Sequence, residues 1–367
     1  MKTIKYEFDK RDFLYGGIIT ATIAVIAFLL AIIGLSIEVF DPIGQAFDNF
    51  HLSDGFFYTQ AKGHPSTMNT NPDIVIVDIQ DCDSREEIAD IVNRINQAGP
   101  QALVVDIIFS NYASASSRED SVLTAAFRQT ENLILAQRNV YGEDGWQTER
   151  SFFADEFTCR EGDVGFSPGM VRSFERSINV DGKDVPTFVS LIANECGLEV
   201  PSGKLLINYC PVTTITLSAD NVGCEELLKG RVVIIGDLND RRDYHNIPVL
   251  MDGQTRTSGI KIIAQEYYTL LPHNRFYTSP EWVSIIFGIL MTYLFCTFIA
   301  SPMSRKKRFN GLWIKIWQVV VLIVLLILTY WSFWGFHLYM PLNYWLVGVG
   351  FSELATEIFY FVKSLKS

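Results

Sequence analysis

The chain has 367 residues, 49% of them hydrophobic, with 26 Phe and 7 Trp, and a formal net charge of −11. That length holds one ordinary domain plus a membrane part, or two domains. The acidic balance makes nucleic acid and anionic lipid poor partners. The apolar share is rich for a soluble protein and is concentrated in a few runs rather than spread.

The first run, Phe13–Ile37, follows a short N-terminus (1–12) with Lys2, Lys5, Lys10 and Arg11, and contains no charged residue. About 20 apolar residues span a bilayer core, so 13–37 is predicted as a transmembrane helix. The run exceeds a signal-peptide core and "LSIEVFDP" offers no small-x-small cleavage site, which predicts an uncleaved anchor.

Residues 38–280 read as one α/β domain. "DIVIVDI" (73–79) is a fully apolar strand. "SREEIADIVNRINQAG" (84–99) has a Ser cap, Glu in its first turn, apolar residues at Ile88, Ile91, Val92 and Ile95, and a Gly stop, so it is a helix. "QALVVDIIF" (101–109) is a second buried strand, followed by a helix in "DSVLTAAFRQ" and a strand in "NLILAQ". Residues 138–186 read as hairpins and loops inserted into this core. Helices in "PTFVSLIANECG", "ADNVGCEELLKG" and "GIKIIAQEYYTLL" then alternate with strands in "KLLIN" and "RVVIIGD". Near-continuous Val/Ile strands between amphipathic helices predict a parallel or mixed sheet with helices on both faces.

Trp282–Ser304 and Ile316–Ser352 are also uncharged. They predict a second transmembrane helix (281–302), a basic loop (303–314), and two more helices (315–335 and 340–362) separated at Gly335–Pro341, before a short tail (363–367). Basic segments stay cytoplasmic. The N-terminus, the loop with Arg305, Lys306, Lys307, Arg308 and Lys315, and the tail with Lys363 and Lys366 therefore belong inside. Four helices put both termini on that side. Residues 40–280 then face outward, with 34 Asp/Glu against 19 Lys/Arg, a net of −15. Cys82, Cys159, Cys196, Cys210 and Cys224 lie in this segment, where disulfides are permitted. One bridge among the last four and unpaired buried thiols are both open readings.

The blocks "DIVIVDI", "AGPQALVVDIIFS", "GRVVIIGD" and "SGIKIIAQ", framed by one N-terminal and three C-terminal membrane helices, resemble the second type of CHASE domain, an extracellular sensory domain associated with cyclases and histidine kinases. The resemblance runs from the first helix to the last. It implies signal sensing outside a bacterial cytoplasmic (inner) membrane. Two departures stand out. "QDCDSREE" runs straight into the first helix, where many family members carry a Trp/Pro/Arg-rich loop. No kinase, cyclase or DNA-binding signature follows Val362, which predicts a stand-alone form.

Asp78, Asp106 and Asp237 sit at or near strand C-termini, the edge along which α/β sheets bind ligands. Asp81 follows closely on Asp78, and Asp240 and Asp243 lie in "GDLNDRRDYHNIP". These six are the candidate ligand-binding residues. They could hold Mg²⁺ or Ca²⁺ through oxygen, bind a cationic solute, or pair with Arg241 and Arg242. The competing reading has them capping helices and accepting loop amides. Metal occupancy is left unknown and no cofactor is indicated.

Catalysis is not expected. Asp78 is followed by Ile79 and Gln80 rather than by the second Asp of an aspartyl phosphatase, and there is no Gly-x-Ser-x-Gly elbow or P-loop. His51, His64, His245 and His273 are scattered and read as surface or loop residues. Glu353 and Glu357, at i and i+4 in the last helix, are candidates for transmembrane coupling, since ionisable groups within a span are functional suspects. Interfacial snorkelling is the alternative for the pair.

The expectation is a membrane-anchored extracytoplasmic sensor, or sensory subunit, that passes a signal through its helices to a separate protein carrying the output. Homo-oligomerisation stays open. The alternatives are a structural or assembly subunit of a cell-envelope complex and, third, an extracytoplasmic metal-dependent hydrolase.

Overall fold

The computed structural model describes residues 9–36, 51–63, 69–111, 118–143, 145–157, 159–166, 169–223, 225–300, 311–341 and 343–365. Most of the predicted basic loop, Cys224 and His64 lie outside the described residues. The chain divides into two compact units, Asp54–Phe276 and the pair of segments Met1–Ser53 and Tyr277–Ser367.

The elements begin with α1 (Lys10–Ser36), α2 (Leu52–Gly63), β1 (Asn69–Asp78), α3 (Arg85–Ala98), β2 (Ala102–Val105), α4 (Arg118–Arg128), β3 (Leu133–Gly142), β4 (Gly145–Arg150) and β5 (Arg160–Asp163). They continue with β6 (Ser173–Phe174), β7 (Ser177–Val180), β8 (Lys183–Pro186), α5 (Phe188–Glu195), β9 (Leu205–Leu206), β10 (Val212–Ser218), α6 (Glu225–Leu228) and β11 (Val232–Gly236). Last come β12 (Tyr244–Met251), β13 (Gln254–Ser258), α7 (Gly259–Leu270), β14 (Phe276–Thr278), α8 (Glu281–Ala300), α9 (Gly311–Phe336), β15 (Leu338–Tyr339) and α10 (Asn343–Leu365).

The domain is built on a seven-stranded mixed sheet in the order β10-β1-β11-β2-β3-β4, with β5 also on β3. The strands from β10 to β3 are all parallel, and β3 turns back on β4 as an antiparallel hairpin. β2 and β11 are buried at every residue, as Val/Ile strands covered on both faces should be. Val75, Val77, Leu103, Val105, Val233 and Ile235 join one core with Ile88, Ile91, Val92 and Ile95 of α3 and Leu123 and Phe127 of α4. The alternate residues Ile74, Ile76, Val104 and Ile234 are equally buried, on the face contacted by α5 and α7.

α3 forms where its signals place it. The Ser84 side chain accepts the Glu87 amide at 3.2 Å, Glu87 reaches back to the Asp83 amide at 3.0 Å, and Gly99 closes the helix in the left-handed conformation at φ 67°. Between α3 and α4, Arg85 pairs with Asp120 and lies 5.2 Å from the Phe109 ring, 5.5 Å from Phe152 and 5.9 Å from Phe153.

Three regions differ from the sequence reading. "VTTITLS" is a strand, β10, at the sheet edge, and residues 244–258 form the β12–β13 hairpin. "ADNVGCEELLKG" is a 3-10 turn followed by only one turn of helix. Both missed segments are rich in polar residues because one side of each faces water, so they lack the apolar run that marks a buried strand. Cys82, Cys159 and Cys196 carry no disulfide.

In the other unit α1, α8, α9 and α10 are long and apolar enough to cross a membrane. Without a hydrophobic drive between helices in lipid, small residues and polar contacts hold such a bundle. Gly16 lies directly against Thr297, and Gly348 against Thr292. Gln318 Nε2 donates to the Val349 carbonyl at 3.0 Å and to Ser352 Oγ at 3.1 Å. Lys363 Nζ donates to Tyr15 Oη at 3.1 Å, so the start of α1 and the end of α10 lie at one end of the bundle. The third apolar run breaks at His337, which has a positive φ of 52°, and β15 follows it.

Candidate functional site at the strand ends

In a parallel sheet, residues in register point to the same face. Asp78 of β1 is in register with Gly236 of β11, and the Asp106 amide bonds to the Ile235 carbonyl at 2.9 Å. Asp78, Gly236 and Asp106 thus lie in one row at the strand ends, on the face covered by α7. Gly236 lets α7 pack closely there, because a Cβ on it would displace the end of the Ile260 side chain and come within 3.3 Å of Asp106 Cβ.

The row opens onto a cleft of about 530 Å³ lined by Asp106, Asp237, Asp240 and Asp243, with Arg138, Glu149, Phe166, Arg242 and His245. Each predicted residue has a definite place. Asp243 Oδ2 accepts the Gly259 amide, the first of α7, at 2.8 Å, where the helix dipole favours negative charge. Its Oδ1 lies 3.3 Å from His245 Nε2, and the His245 ring packs on Phe166 at 4.5 Å. His245, read from sequence as an unpartnered loop residue, therefore belongs to the site. Asp240 binds Arg242 at 2.8 Å and accepts the Arg242 amide at 3.0 Å, so it caps its own turn. Asp237 accepts the Asn239 amide at 2.8 Å.

Asp78 and Asp81 do not line the cleft. Asp78 Oδ1 accepts the amides of Gln80 at 3.2 Å and Leu238 at 3.1 Å, tying the ends of β1 and β11 together. Asp81 is exposed in the following turn. Among the described residues no group of three or more His, Cys, Asp or Glu side chains is placed to hold a metal ion.

Asp106 is the unusual member. As a residue it keeps part of its surface in the cleft, yet its carboxyl is pushed up to about 7, by burial first and by the nearby Asp243 second. One acid of the pair is thus readily neutral and can donate a hydrogen bond. Opposite, Arg138 and Glu149 are cross-strand partners in the β3–β4 hairpin. The Val164–Phe166 wall is anchored by Asp163, whose buried carboxylate accepts from Asn139 N and Nδ2, both at 2.9 Å, and from Gly165 N at 3.1 Å. Arg138, Glu149 and Phe166 carry no local signal in the sequence. The long insertion brings them in.

In the membrane unit Glu353 pairs with Lys315 Nζ at 3.7 Å across α9 and α10, while Glu357 is exposed. The two glutamates share one face of the unbroken α10, four residues apart, in different surroundings.

The family model described as the CHASE2 domain matches residues 22–301. The chain belongs to the CHASE2 family. No curated protein and no solved structure matches it. The CHASE2 match runs from within α1 through α8, so it takes in the whole α/β domain and its flanking membrane helices. The chain is accordingly a multi-pass membrane protein carrying a CHASE2 sensory domain.

Proposed function

We propose that this chain is an extracytoplasmic sensor whose input site is the strand-end cleft, and that α7 carries the state of that cleft toward the membrane helices and on to a protein partner holding the output. The observation that supports this most directly is the placement of Asp106 and Asp243 at the start of α7. That helix is buried at every residue from Gly259 to Leu270 except Lys261. It is followed after ten residues by α8. A ligand that neutralises or bridges the two acids changes the charge at the helix terminus, and a helix packed on all sides moves as a body or not at all. We read the domain as a binding module rather than an enzyme, and we place both termini in the cytoplasm of a bacterial cell because the basic segments flank the helices.

The experiment is a pull-down of the full chain from detergent-solubilised membranes, comparing wild type with Asp106→Asn and Asp243→Asn. The expected result is a partner whose recovery or activity shifts in the variants. Unchanged recovery in constant stoichiometry under all conditions overturns the sensor reading and favours an assembly subunit. A reporter active only outside the cytoplasm should work when fused at Gly142 and be silent at Ser367.

A further inference from the structure

A second cavity of about 280 Å³ shares the Val164–Phe166 wall with the cleft but has its own floor, made by α7. Glu266 lines it and is 5% exposed. Among the described residues no hydrogen bond or ion pair reaches its carboxyl, and burial alone pushes it up to about 8. The neighbouring polar groups of the same helix are all satisfied. Gln265 Nε2 donates to the Asn208 and Cys210 carbonyls, and Thr269 Oγ1 donates to the Gln265 carbonyl at 2.8 Å. A buried carboxyl with no partner is costly. Leu would serve packing at this point without that cost.

The remaining walls say what would relieve it. Phe166, Phe174 and Phe188 supply aromatic surface, and Asp163 and Glu175 add acid, against Lys204 as the cationic lining residue at the exposed rim. Asp163 already spends its acceptors on Asn139 and Gly165. Acid beside aromatic faces is the setting in which organic cations are held, and the volume is at the small end of ligand pockets, which start near ~300 Å³. We propose that this cavity binds a small organic ammonium, a primary or secondary amine with an apolar body, whose N–H groups satisfy Glu266 while the body packs on the three phenylalanines. The inference does not depend on the strand-end cleft being an input site.

The test uses the full chain in detergent, with 2-phenylethylamine as probe and 2-phenylethanol and phenylacetate as its neutral and anionic counterparts. Calorimetry and thermal melts should show binding and stabilisation by the amine and none by the other two. Glu266→Gln should weaken amine binding by about tenfold or more. Should that variant fail to fold, Lys204→Glu at the exposed rim tests the charge preference of the cavity instead, because replacing the cation by an acid should tighten amine binding severalfold. The proposal is overturned if ethylamine, 2-phenylethylamine and tryptamine all fail to bind at about 10 mM. Equal binding of amine and alcohol, or an affinity unchanged in Glu266→Gln or in Lys204→Glu, overturns it as well.

Discussion

Asp243 and Gly259 are fitted to each other so closely that the carboxylate leaves no room for a side chain on Gly259. The Gly259 amide donates to Asp243 Oδ2 at 2.8 Å, and a Cβ on Gly259 would stand 2.7 Å and 2.8 Å from the two carboxylate oxygens and 3.0 Å from Phe166 Cε2. Gly259→Ala should therefore displace Asp243, break the bond to the helix terminus and loosen the Phe166 wall. The expected loss is about 1–3 kcal/mol, the cost of a lost charged hydrogen bond, read as a lowered Tm of the full chain in detergent. Asp243→Ala should lower Tm alone but shrink the further loss from Gly259→Ala to the part owed to Phe166. Additive losses would contradict this coupling.

Asp106 sets a pH dependence. Its carboxyl is raised from the ordinary 3.8 to about 7 in the folded chain, so the folded state holds a proton that the unfolded chain has released. Between those values stability falls as pH rises, and above about pH 7 the whole contribution is gone. Asp106→Asn should stabilise the chain by about 1–4 kcal/mol at pH 8 and by almost nothing at pH 4. A Tm difference that is flat from pH 4 to pH 8 would show that the carboxyl is not perturbed by its surroundings. Glu266, raised to about 8, slopes the same way and stays in both proteins, so it cancels in the comparison.

Arg85 binds through its shape as well as its charge. Its guanidinium faces Phe109, Phe152 and Phe153 while pairing with Asp120. Lys keeps the charge but not the flat stacking surface. Arg85→Lys should cost about 1–2 kcal/mol, and Asp120→Asn more in the wild-type background than in Arg85→Met. Equal costs in both backgrounds would mean the pair is uncoupled.

In the bundle, Gly348 and Gly350 make a matched pair. A Cβ on Gly348 collides with the Thr292 side chain and crowds its Cβ at 2.9 Å, whereas a Cβ on Gly350 meets nothing within 4 Å. Gly348→Ala should lower the Tm of the detergent-solubilised chain, with Thr292→Ala restoring part of the loss. Gly350→Ala should be neutral or slightly stabilising, since Ala is the better helix former. Equal effects would contradict the close approach of α8 and α10.

Much of this was readable in the residues alone. Ser84, Glu87 and Gly99 mark the ends of α3, and the unbroken Val/Ile of β2 and β11 announce strands covered twice. The charge-free runs announce the membrane helices. What is not readable is whatever depends on residues far away in the chain. Asp78 and Asp106 both end an apolar strand and look alike in sequence. Asp78 is taken by the Leu238 amide, 160 residues on, while Asp106 is left beside Asp243. The β12–β13 hairpin has no buried run to betray it, and the partner that draws His245 into the site is Phe166, far back in the chain. Glu266 sits in an ordinary helical pattern, and only the cavity beside it makes it unusual.

The position of β11 has a consequence for synthesis. It lies between β1 and β2, so the first two strands to be made cannot pair with each other and must wait for a partner that starts at Val232. Until then two apolar edges stay open, which is the condition under which chains aggregate or recruit helpers. Sheet closure is thus a late event of long sequence separation, and such closures are slow. The domain cannot settle from its N-terminal side inward. It locks when β11 arrives, ahead of the β12–β13 hairpin and α7, and a chain halted near residue 230 would lack the centre of its sheet.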